Sequence, residues 1–112
     1  MIKYIAYILL LFMLQTTLEA ASYKGQSEFV RQCVKCHKGG QDFVATKRAI
    51  EWKKLMAKKG EPLAKLHINS TDENALKSTE YFSGSRYPKF AKHLKDFLVD
   101  YASDSGRVPA CN

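Results

Sequence analysis

Cysteine is scarce in this sequence, three residues in 112, too few for the dense disulfide scaffold of many small exported domains. The odd number also leaves at least one thiol without an intrachain disulfide partner. No run of β-branched residues suggests a sheet strand, and neither internal repeats nor low-complexity tracts are present. The length excludes a multidomain enzyme. Acidic residues are outnumbered, 11 against 18 Lys and Arg, for a net charge of +7 at pH 7. Methionine is missing altogether from Ala57 to Asn112. A long apolar span is lacking too: 15 uncharged residues separate Lys3 from Glu19. As a helix they extend roughly 22 Å, short of the roughly 30 Å hydrocarbon core of a bilayer.

What the N-terminus does contain has the form of a secretory signal. A short basic start with Lys3 leads into the apolar run Ile5 to Leu14, then a polar stretch ending in Ala20, Ala21 and Ser22. The expected organisation is a signal peptide over residues 1–21, cut between Ala20 and Tyr23, and one domain over 22–112. An uncleaved membrane anchor is the rival. No cysteine follows the apolar run to carry a lipid at a new N-terminus.

Export changes the meaning of the thiols, because outside the cytoplasm neighbouring cysteines are oxidised, metal-bound or covalently used. Two of them lie in Cys33-Val34-Lys35-Cys36-His37, the attachment motif for c-type haem. Each thiol adds to one haem vinyl group, the two intervening residues set the reach, and His37 follows directly as proximal iron ligand. A zinc site built from Cys33, Cys36, His37 and one of His67, His93 or Cys111 is an alternative, though adjacent Cys and His suit one tetrahedral ion poorly. A redox-active dithiol is a third.

Gly25, Phe29 and Cys33 follow one another at four-residue spacing and share a helical stripe that runs into the motif. Near the other end, Phe90, Leu94, Phe97, Leu98 and Tyr101 form a second stripe behind Pro88, a favoured first-turn residue. The pattern G-x-x-x-F-x-x-x-C-x-x-C-H with a terminal L-x-x-(aromatic)-L helix resembles the class I c-type cytochromes over essentially the whole chain after the signal. The resemblance implies an all-α fold with helices at about 25–36 and 88–102 packed against each other over one covalent haem c, crossing where Gly25 admits close backbone approach. Between them the spacing predicts a helix from about Lys47 to Lys59, with Ala49, Trp52, Leu55 and Met56 on one face. It also predicts a short helical turn at Pro62 to His67, a capping box at Ser70 to Glu73, and a loop from Lys77 to Lys89.

In the family the sixth iron position usually belongs to a methionine in the loop before the last helix, and from Ala57 to Asn112 this chain has none. His67 stands first among the candidates, sharing a stripe with Leu63 and Leu66; Met56 is the alternative, followed by His93 and an open position. Residues Trp52 to Ser105 also show a faint likeness to one half of small dihaem cytochromes, which favours histidine.

The implied function is a periplasmic carrier of single electrons between respiratory redox partners, with no protein-based catalytic residue. The alternatives are a haem protein with an open distal site that binds or reduces a small ligand such as peroxide or nitric oxide, and a docking subunit of a respiratory complex. Tyr23 to Lys65 carries eleven Lys and Arg against four Asp and Glu; Leu66 to Asn112 is balanced, six against six. The basic half is suited to an acidic redox partner or to an anionic membrane surface; nucleic acid is not expected for an exported chain. Cys111 is left without an intrachain partner, as a tail thiol or the site of a disulfide dimer.

Overall fold

The structure, a computed structural model, describes residues 2–107. Over these residues the chain forms α1 (Ile2–Gln32), α2 (Gln41–Val44), α3 (Ala49–Leu55), α4 (Ala57–Ile68), α5 (Glu73–Lys77), α6 (Thr79–Ser83) and α7 (Arg86–Asp100). No strand occurs among the described residues, so the all-α class read from the sequence holds. No helix is long and apolar enough to cross a membrane among them.

The core grows from the last helix. Tyr87, Ala91, Leu94, Phe97 and Leu98 recur at three- and four-residue spacing and are all buried, which gives α7 one continuous apolar face. That face packs chiefly on α1. The two helices meet at Gly25, where a Cβ would run into the carbonyl oxygen of His93 and lie 2.7 Å from the Phe97 Cβ. Backbone cannot yield as a flexible side chain does, so only glycine fits the crossing. One turn later Phe29 is buried against Phe97, ring centres 5.3 Å apart.

The single middle helix expected from Lys47 to Lys59 is not formed. α3 stops at Leu55, and the chain turns through Lys58, Lys59 and Gly60, all with positive φ (49°, 57° and 76°). Gly60 was a legible stop signal, but Lys58 and Lys59 are ordinary helix formers, each held left-handed at about 1–2 kcal/mol. Tertiary contact holds the turn: the Tyr87 hydroxyl donates to the Gly60 carbonyl at 2.7 Å, and a Cβ on Gly60 would strike that phenol. The reversal sends α4 back along the core with His67 near its end.

Other expectations shift for local reasons. The capping box would make Ser70 the N-cap of the next helix, yet the cap is Asp72, whose Oδ1 accepts from the Asn74 and Ala75 amides at 2.7 and 3.4 Å. The segment expected as loop from Lys77 to Lys89 contains α6 and the start of α7, because Tyr81, Phe82 and Tyr87 pack into the core. The end of the chain ties back to α3: the Ser103 amide donates to the Lys47 carbonyl at 2.9 Å, and the Ala49 amide to Asp104 Oδ1 at 2.8 Å. Cys111 lies outside the described residues.

Candidate functional site

α1 ends at Gln32, short of the expected residue 36, and the Cys-x-x-Cys-His segment continues it as an irregular turn. The Cys33 amide still donates to the Phe29 carbonyl at 2.8 Å, while the Cys33 carbonyl accepts from the amides of Cys36 and His37 at 3.2 and 2.8 Å. Gly39, at φ 95°, and Gly40, at φ 52°, then turn the chain into α2, which brings Phe43 back over the motif.

These turns open one side of a cavity of about 410 Å³, within the roughly 300–1,000 Å³ of small-molecule and cofactor sites. Cys33, Cys36 and His37 line it together with His67, so the structure brings the motif and the favoured sixth-ligand candidate to one space. The remaining lining is mostly apolar, led by Phe29, Phe43, Trp52, Leu63, Leu94 and Leu98, with Ser70, Asp72, Asn74 and Ser78 making a polar margin. Leu66, which shares a helical stripe with His67, lines the cavity while 61 % exposed. Met56 does not line it. Its side chain is 3 % exposed, with the Tyr87 hydroxyl 3.7 Å from its sulfur. His93 also lies outside, its backbone against Gly25.

The two imidazoles have ring centres 6.1 Å apart and planes at 87°. His67 Nδ1 lies 2.8 Å from the Leu63 carbonyl oxygen, which only accepts, so Nδ1 is the donor and the neutral ring has its lone pair on Nε2. A metal-ligating histidine is oriented in this way. Burial, with His67 nearby, holds His37 below the ordinary imidazole range and favours its neutral form. Each ring is backed by a phenylalanine: Phe43 stacks on His37 at 4.0 Å and 21°, Phe82 on His67 at 4.2 Å and 27°. Trp52, whose indole N–H donates to the Val44 carbonyl at 2.9 Å, meets Phe43 edge-on.

The residues fit a haem on two counts. Imidazole nitrogens about 2.0–2.1 Å from one shared metal, plus roughly 1 Å to each ring centre, give a centre separation of about 6 Å, as seen here. Burial, with Glu28 and Cys36 adding, pushes the Cys33 thiol up to about 12, so its surroundings accept neutral sulfur and oppose a thiolate. A thioether sulfur is neutral in the same way. No group of three or more His, Cys, Asp and Glu side chains is placed to hold a metal ion among the described residues, which leaves the four-ligand zinc alternative unassembled there.

Sequence reasoning passed over Phe43 and Phe82, and over Glu28, a carboxylate only 2 % exposed that pairs with Arg86. Glu28 had one legible signal: it follows Gly25 by three residues and so shares the buried face of α1. Comparison with protein-family models, curated proteins and solved structures finds no match for this chain.

Proposed function

We propose that this chain is a periplasmic, single-haem c-type cytochrome of class I character that passes single electrons between respiratory redox partners. Cys33 and Cys36 would hold the haem through thioether links, and His37 and His67 would ligate its iron, in the cavity that all four line. The observation that carries this reading is the placement of His67, with a free Nε2, on the cavity lined by Cys33, Cys36 and His37. A haem so held supplies reversible ferric–ferrous cycling.

The chain's own residues bind, orient and shield. The Leu63 carbonyl sets the His67 tautomer, and Phe43 and Phe82 restrain the two rings. Trp52, Leu94 and Leu98 exclude water from the inner wall. No side chain is required to form or break a bond during transfer. Lys35, Lys38, Lys53, Lys54, Lys58 and Lys59 are exposed and supply a positive field for an acidic redox partner, whereas Lys65 pairs with Glu61 at 2.7 Å. Raising ionic strength should slow transfer to that partner; a rate indifferent to salt removes the docking role from the lysines.

Absorption spectra of the exported protein in both oxidation states test the core of the reading. The expected result is low-spin haem, unaltered by cyanide, carbon monoxide or nitric oxide and without a methionine–iron charge-transfer band. A high-spin spectrum that changes with those ligands would reassign the protein to small-ligand binding, and a charge-transfer band would return the sixth position to Met56.

A further inference from the structure

Glu28 is the buried charged side chain of the core among the described residues, and binding the haem gives it no task. A buried carboxylate is tolerated only when paired and hydrogen-bonded, and this one accepts three hydrogen bonds. Its Oε1 accepts from the Tyr81 hydroxyl at 2.9 Å and from Arg86 Nε at 3.2 Å, and its Oε2 from Arg86 Nη2 at 2.9 Å. The two-pronged arginine contact fixes direction as well as distance. The cluster therefore binds α1 to α6 and to the first turn of α7.

What it secures is next to Tyr81. α6 has five residues and no stability of its own, so its position depends on what holds it. It carries Phe82, which meets Tyr81 and Tyr87 edge-on at 5.1 and 4.8 Å and stacks on His67 at 4.2 Å. The His67 bond to the Leu63 carbonyl narrows the ring's χ2 rotation but, being tolerant in angle, does not fix it. The stacked phenyl removes that freedom. On the other ring Phe43 does the same, and the planes come to rest at 87°.

We infer that Glu28, acting through Tyr81 and Phe82, is a positioning residue that sets the ring plane of His67 and holds it perpendicular to that of His37. The inference rests on the proposed bis-histidine reading and adds a consequence to it. Two imidazoles held at right angles would interact equally with the pair of iron d orbitals that have π overlap toward them (dxz and dyz), so these would stay nearly degenerate. Parallel rings would split them. Second-sphere bonds thereby tune the electronic state of the iron through a ring angle.

Electron paramagnetic resonance of the ferric holoprotein reads this angle directly. Wild type should give a strongly anisotropic low-spin signal dominated by one large g value. Glu28→Gln removes the charge that grips both partners, and its largest g value should fall toward an ordinary rhombic pattern. Tyr81→Phe keeps the ring and the Glu28–Arg86 pair and should shift g in the same direction by less. Should Glu28→Gln not assemble, Tyr81→Phe decides by the same reading. Variants that lose thermal stability but retain wild-type g values overturn the positioning role and leave bis-histidine ligation standing. A wild type without a low-spin signal overturns the ligation itself.

Discussion

The His37 and His67 sides of the cavity are built by different means. His37 is delivered locally: it comes four residues after Cys33, in the turn that follows α1, with its amide on the Cys33 carbonyl at 2.8 Å. His67 comes 30 residues later, on a helix reached through a left-handed turn and backed by a short helix that a carboxylate on α1 holds in place. One side is coded by spacing and the other by tertiary structure. A side coded by spacing tolerates change elsewhere; a side built from long-range contacts is sensitive to residues far along the chain.

The widest separation between the sides should come from removing the thiols. A Cys33→Ser/Cys36→Ser protein would have no site for the proposed covalent haem, and the roughly 90 residues left after the proposed signal cleavage are marginal for a core of side chains alone. It is expected to lose most of its helical circular dichroism. Native helix content without haem would mean that the His37 side needs no cofactor to form.

On the other side, His67→Ala should convert the iron to a high-spin form that takes up carbon monoxide and cyanide. Met56→Leu should keep the low-spin spectrum and lower stability by less than about 1.5 kcal/mol, since Met56 packs only in the core. If the two variants exchanged behaviour, the comparison would fail at its centre.

Glycines on the two sides offer a smaller and more graded contrast. Gly60→Ala places a Cβ against the Tyr87 phenol at φ 76° and should cost about 2–3 kcal/mol in urea unfolding. Gly39→Ala, at φ 95° with the Asp42 Cβ 3.8 Å away, bears backbone strain alone, about 1–2 kcal/mol. Equal costs would show that the His67 side is no tighter than the other.

The smallest effect is in alkali. Burial, with Glu28 adding at Tyr81, holds the Tyr81 and Tyr87 hydroxyls well above the ordinary value of 10.0. The folded state thus keeps protons that the unfolded chain releases, and stability is intact below pH 10 and falls as pH rises past it. Thermal melts should show that decline, and Tyr81→Phe should make it shallower. A variant with the wild-type slope would remove Tyr81 from the balance.

Much of this was legible in the residue order. The stripes Gly25–Phe29–Cys33 and Leu94–Phe97–Leu98 mark the buried face of α1 and of α7, because periodicity decides which face of a helix is buried, while their packing against each other was what the family resemblance implied. The position of His67 beside Leu63 and Leu66 was a readable hint. Helix α6 and the left-handed Lys58 and Lys59 were not readable: their residues favour loop and helix respectively, and packing against Glu28 and Tyr87 overrode both preferences.

The sequence alone determined an all-helical chain, the Cys33–Cys36–His37 constellation and the glycine that lets two helices cross, since each depends on near neighbours or on helical period. Tertiary structure decided that His67 rather than Met56 reaches the cavity, at what angle its ring stands, and which buried charge holds it there. Those outcomes depend on partners 53 and 58 residues apart, and no local pattern encodes a meeting at that distance.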